Sequence, residues 1–128
     1  MRYLAEQYLD YLQEANLAGV LSLFSSDAKV YSPLYGVLTA VDFYQTLFKQ
    51  TRASKTQLLN VFESVANATH QSMALHFNYE WVMANGTLVQ FECVDVFTLN
   101  EKEKVTELKI IYDTAPLRSE FERLNRNI

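Results

Sequence analysis

The sequence predicts one α+β domain in which N-terminal helices pack on an antiparallel sheet built from the rest of the chain. Three observations carry that expectation. Helical spacing of apolar residues is confined to roughly the first fifty positions, and extended runs fill the positions after them. The turns joining those runs are short, so an antiparallel meander is the simplest pairing. Aromatic residues make up 13% of the chain, more than filling a small core requires, so some of the rings are expected to line a pocket.

Taken in order, residues 2–15 place Leu4, Tyr8, Tyr11, Leu12 and Ala15 at helical spacing, with Glu6, Gln7, Gln13 and Glu14 largely elsewhere. A second short helix is expected near 17–25, with Asn16 as its N-cap and Leu17, Val20, Leu21 and Phe24 on one side, ending at Ser25-Ser26-Asp27. A strand then starts at Ala28 and turns at Pro33, which lacks a backbone donor and biases Ser32 toward extended geometry. Thr39 precedes a third helix bearing Val41, Phe43, Tyr44, Leu47 and Phe48, expected to stop before Arg52. Strands are expected near 56–66, 70–83, 88–99 and 104–113, with Asn85-Gly86 as the turn between the middle two. The tail from Ala115 to Ile128 reads as a short helix or a frayed end. No linker, repeat or composition shift divides the chain, so residues 1–128 are read as a single domain.

Composition excludes several function classes. The net charge is −4 and the Lys and Arg residues are scattered, which argues against a nucleic-acid partner. The lone cysteine, Cys93, allows no internal disulfide and fits a reducing, cytoplasmic setting. Glu6, Asp10 and Glu14 interrupt the first helix, so it reads as neither a secretory signal nor a membrane span. The glycosylation-like triplets at Asn67 and Asn85 are therefore read as chance. Neither a glycine-rich phosphate loop nor a metal-spaced cluster is present, and no cofactor is expected.

Alternation in the long strands sharpens the picture. Met73, Leu75, Phe77, Tyr79 and Trp81 fall on one face, against Ser72, His76, Asn78 and Glu80 on the other. In the next strand the inward set is Phe91, Cys93, Asp95, Phe97 and Leu99, so Asp95 lies among apolar neighbours. Burying an ionised carboxylate there is costly, and desolvation should raise its pKa. Two readings stand: Asp95 pairs with a lysine or arginine or caps a backbone gap at a bulge, or it is a protonated hydrogen-bond donor.

The run Leu23-Phe24-Ser25-Ser26-Asp27-Ala28-Lys29-Val30-Tyr31-Ser32-Pro33, followed in order by Val94-Asp95-Val96-Phe97-Thr98-Leu99 and Lys104-Val105, resembles the fold shared by nuclear transport factor 2, ketosteroid isomerase, scytalone dehydratase and SnoaL-like polyketide cyclases. The resemblance covers nearly the whole chain. It implies a cone-shaped, curved antiparallel sheet wrapped around the N-terminal helices and enclosing an apolar pocket. In the ketosteroid isomerases a first-helix tyrosine and a protonated aspartic acid hold the substrate oxyanion, and an aspartate before the strand-end proline is the base. The resemblance places Tyr8 and Asp95 at the two donor positions. Ser32 stands where that family has its base, and an unassisted serine is a poor proton acceptor near neutral pH.

Leu12, Phe24, Phe43, Phe77, Tyr79, Trp81, Phe91, Cys93 and Phe97 are the expected pocket residues, although a tyrosine or an aromatic stripe also serves plain core packing. Cys93 is read as a small apolar filler rather than a nucleophile. His70 and His76 are given surface or interface roles. Asp113, at the end of the last strand, resembles an acidic residue common near the same place in relatives, where its role is often structural. The expected function is binding or transforming an apolar, oxygen-bearing small molecule, with isomerisation, cyclisation or dehydration by proton transfer as the reaction type. The alternative is a non-catalytic domain that homodimerises or binds a partner protein. A homodimer through the outer sheet face is expected in either case, because Val94 and Val96 are apolar there.

Overall fold

The computed structural model describes residues 2–65 and 70–126. The Asn67-Ala68-Thr69 triplet, position 66 of the first long strand and the ends of the chain lie outside the described residues. The chain order is α1 (Arg2–Gln13), α2 (Leu17–Ser22), β1 (Phe24–Ser32), β2 (Gly36–Thr39), α3 (Ala40–Lys49), β3 (Thr51–Glu63), β4 (Gln71–Met83), β5 (Leu88–Leu99), β6 (Val105–Ile111) and α4 (Arg118–Arg126). All six strands form one unclosed sheet in the order β2-β1-β6-β5-β4-β3.

The helices begin and end for local reasons. Ala15 takes a left-handed conformation at φ 52°, and the Asn16 amide turns back to the Tyr11 carbonyl at 2.9 Å, closing α1. The Asn16 side chain then accepts the Gly19 amide at 2.9 Å and opens α2. Gly19 is required there, since a Cβ would stand 2.6 Å from the Tyr11 ring. α2 is shorter than the apolar spacing implied: it stops at Ser22, and Phe24 opens β1 instead of extending the helix. Thr39 caps α3 by accepting the Asp42 amide at 3.1 Å.

β2 was not apparent from the pattern, because its four residues are half exposed and only hairpin pairing to β1, from Ser32↔Gly36 to Lys29↔Thr39, makes them a strand. β3 starts at Thr51, earlier than expected. Its polar start pairs with β4 through Ala53↔Val82 and Lys55↔Glu80, so cross-strand partners override the loop-like composition. Two register shifts, between Thr51 and Ala53 and between Leu58 and Asn60, bend this edge strand.

β3 through β6 form the expected antiparallel meander. The wholly antiparallel sheet needs one correction: β1 pairs with β6 in parallel, Val30↔Leu108 and Tyr31↔Lys109. A parallel pair needs a long crossover, and the chain from the β1 turn through α3 and the meander supplies it.

The inward face of β4 alternates as anticipated, with Met73, Leu75, Phe77, Tyr79, Trp81 and Met83 all buried. Leu9, Leu12, Val20, Phe43, Tyr44 and Leu47 of the helices face it, and α1 lies over β3. α4 and the turn before it lay Phe121, Leu124 and Leu117 into the same core, and Phe121 meets the rings of Tyr35 and Trp81 at centroid distances of 4.9 and 6.5 Å. Among the described residues no helix is long and apolar enough to cross a membrane.

Candidate functional site

A cavity of about 50 Å³ opens between α1, α3 and the concave sheet face. Tyr8 and Leu12 line it from α1, Phe43 and Leu47 from α3, and Phe77, Tyr79, Trp81, Phe91, Cys93, Asp95 and Ile110 from the sheet. Ser32, Tyr35 and Tyr112 complete the wall. The alternation of β4 and β5 accounts for this: inward positions cluster on one concave surface. Trp81 is held in place by its indole N–H donating to Thr51 Oγ1 at 2.8 Å.

At one end of the cavity four polar side chains form a buried chain. The Tyr8 hydroxyl donates to Asp95 Oδ2 at 3.4 Å and lies 2.7 Å from the Tyr44 hydroxyl. A phenol has a single proton, so with that proton directed at Asp95 the short bond is donated by Tyr44. Cys93 Sγ donates to Asp95 Oδ1 at 3.0 Å.

Asp95 is 2% exposed, and its hydrogen-bond partners are a thiol and a phenol. No lysine or arginine among the described residues makes an ion pair with it. The pairing to β4 runs without a shift through Val94, Asp95 and Val96, so it caps no bulge either. Burial raises its pKa from 3.8 to about 7, against a smaller opposing effect of the Cys93 and Tyr8 hydrogen bonds. Burial also pushes the Tyr8 and Tyr44 hydroxyls well above the ordinary phenol range and raises the Cys93 thiol. All four groups are uncharged when Asp95 is protonated.

The site therefore brings together Tyr8 and Asp95, together with Leu12, Phe43, Phe77, Tyr79, Trp81, Phe91 and Cys93. Phe24 and Phe97 are buried in the core rather than in the cavity wall. Phe97 stands edge-on to Tyr8 at 4.9 Å, and Phe24 lies 5.6 Å from Tyr44. Both support the polar chain from behind.

Ser32 does reach the wall, yet its Oγ accepts the Leu34 and Tyr35 amides at 3.2 and 3.1 Å and so serves the turn. Asp113 accepts the Ala115 amide at 3.0 Å and organises the approach to α4. His76 lies on the outer face, its Nε2 2.8 Å from Glu92 Oε1, and His70 is exposed.

Sequence reasoning missed Tyr44, Tyr35 and Tyr112. Tyr44 shares an apolar helix stripe with Phe43 and Leu47, and nothing in that stripe separates a network member from a packing ring. Tyr35 sits in a turn, where periodicity gives no direction, and Tyr112 lies near the end of the expected last strand, whose inward face the sequence reading did not assign. Among the described residues, no group of three or more His, Cys, Asp and Glu side chains could hold a metal ion.

An unclosed, curved α+β sheet with helices in its concavity is the nuclear transport factor 2-like cone fold, and solved structures share it. TerC, co-crystallised with polyporic acid, superposes with a TM-score of 0.74 at 16% identity, covering 94% of this chain and 97% of that one. An NTF2-like protein of unknown function from Burkholderia pseudomallei gives 0.74 at 16% identity, covering 96% and 95%. SalBIII, an epoxide hydrolase/cyclase-like enzyme in pyran ring formation in the polyether salinomycin, gives 0.71 at 17% identity, covering 88% and 89%. No curated protein sequence matches the chain. Residues 5–108 match the SnoaL-like domain, and the chain belongs to that family.

Proposed function

We propose that the cavity binds a small, largely apolar ring compound through an oxygen held by Tyr8 and protonated Asp95. The observation that supports this most directly is a carboxyl group buried with no cation, in an otherwise aromatic cavity, beside a phenol. Two such preorganised donors stabilise a carbonyl or phenolate oxygen, and an electron-rich oxygen gains more from them than from water. SalBIII and TerC lend support of a weaker kind, since each is described with a small organic molecule.

Proton transfer between carbons needs a group that accepts the proton and returns it. Ser32, whose oxygen already accepts two amides, is poorly suited to that role. The reading is therefore strong binding with little ketosteroid isomerase-type turnover; isomerisation, cyclisation or dehydration would need a base from elsewhere in the wall.

Calorimetric titration with 2-naphthol at pH 6 tests this. Tyr8→Phe and Asp95→Ala should each weaken binding by roughly 1 to 3 kcal/mol, the usual cost of leaving a buried oxygen without its donor. Isomerase activity of the unaltered protein on an enone substrate, or naphthol binding indifferent to both substitutions, would overturn the reading. Ser32→Asp is the converse test, placing a carboxylate at the cavity wall.

A second reading concerns assembly. Across the outer face the register aligns Phe62, Ala74, Val96, Lys109 and Tyr31 in one row and Asn60, His76, Val94 and Ile111 in the next. Phe62 and Ile111 are 56% and 55% exposed. This mixed apolar surface suits a second copy of the chain, as a homodimer through the sheet.

A further inference from the structure

From Tyr112 we infer that the ligand carries a second oxygen, at the end of its ring system opposite the one held by Tyr8 and Asp95. The inference rests on the proposed ligand-binding role of the cavity and narrows its ligand to a doubly oxygenated aromatic compound. The polar atoms of the wall separate into two kinds. Most are answered by the protein itself: Tyr8 by Tyr44, Asp95 by Cys93 and Tyr8, Tyr35 by Gln50, Trp81 by Thr51, and Ser32 by its turn amides. Tyr79 has the Ser54 hydroxyl as its neighbour. Tyr112 lines the cavity, and its hydroxyl has no hydrogen-bond partner among the described residues.

Its position is set by the sheet. Ile110 is the register partner of Asp95, and Tyr112 lies two residues further along, one pleat repeat or about 7 Å away on the same inward face. Its ring lies against Phe91, with centroids 4.4 Å apart and planes at 32°. Phe91 is four residues from Asp95 on β5, so Tyr112 belongs to the far part of the cavity. Burial raises the Tyr112 hydroxyl above the ordinary phenol range, which keeps it a neutral donor. The hydroxyl is not among the fully buried unpartnered atoms, so water reaches it, and a ligand oxygen seated in this part of the cavity takes the water's place as acceptor.

A matched pair of probes isolates the second oxygen: 2-naphthol, and 2,6-dihydroxynaphthalene, which adds one hydroxyl at the opposite end. Calorimetry at pH 6 should show the diol binding the unaltered protein roughly three- to tenfold more tightly, the range for one net hydrogen bond. In Tyr112→Phe, which keeps the ring against Phe91, that preference should collapse to near unity, the diol losing more affinity than 2-naphthol. Tyr8→Phe should weaken both probes alike and retain the preference. A preference that survives Tyr112→Phe, or an equal loss of both probes in that variant, would show that Tyr112 only packs and would overturn the inference while leaving the first oxygen site intact. Absence of 2-naphthol binding by the unaltered protein would instead refute the first oxygen site, and this inference with it.

Discussion

Asp95→Asn offers the most direct test of the uncharged site, because it removes a titration and keeps the shape. A carboxyl titrating at 3.8 when unfolded and at about 7 when folded holds more protons in the native state between those values. Stability should therefore be greatest below the unfolded value and fall as pH rises, flattening only above the folded value. At 1.36 kcal/mol per unit, the full shift corresponds to about 4 kcal/mol, and the part falling between pH 5 and pH 8 to roughly 2.5 kcal/mol. The measurement is urea unfolding of the two proteins across pH 5–8, read as the difference between their profiles so that other titrating groups cancel. Asp95→Asn should gain on the unaltered protein by about that amount as pH rises, whatever fixed offset the amide introduces. Parallel profiles would mean that Asp95 titrates near its ordinary value, and the donor role built on its protonation would fall.

Two further outcomes follow from the same geometry. Cys93→Ala deletes a hydrogen bond that favours the ionised carboxylate, so the Asp95 midpoint in the pH profile should move upward, and Cys93→Ser should largely restore it; a midpoint that stays put or falls would show that the 3.0 Å thiol contact has no electrostatic effect. Val96→Glu puts a charge in the outer row that Phe62 and Ala74 share, and should convert a dimer to monomer in sedimentation at tens of micromolar; a monomeric unaltered protein at that concentration would end the dimer proposal.

The parts of the fold that could be read in the sequence are those governed by one strong local pattern. Period-two alternation fixed the inward faces of β4 and β5, caps at Asn16 and Thr39 located α2 and α3, and Asn85-Gly86 located a turn in which Gly86 has φ 90°. What escaped depends on partners distant in sequence. β2 is a strand only because β1 lies beside it, and β1 is parallel to β6 only because the whole meander intervenes. The site divides in the same way. Asp95 was visible as a carboxylate on an apolar face, a violation of the strand's own pattern. Tyr44 violates nothing, and only the folded chain shows its hydroxyl 2.7 Å from that of Tyr8.

That short contact bears on how the site would work. Tyr8 directs its one proton at Asp95 over 3.4 Å, a long bond, while its oxygen sits 2.7 Å from Tyr44. The short bond anchors the phenol; the long one is the weaker partner and the easier to exchange. An incoming oxygen needs only to replace the Tyr8–Asp95 contact, after which the Tyr8 and Asp95 protons can both be donated to it, with Tyr44 and Cys93 still holding the two donors from behind. Preorganisation of this kind spares the ligand the cost of ordering the donors. It also explains why buried polarity is tolerated in this core: each of the four side chains already makes a hydrogen bond to another of them, and exchange of one long hydrogen bond opens the site without leaving a charge unpaired.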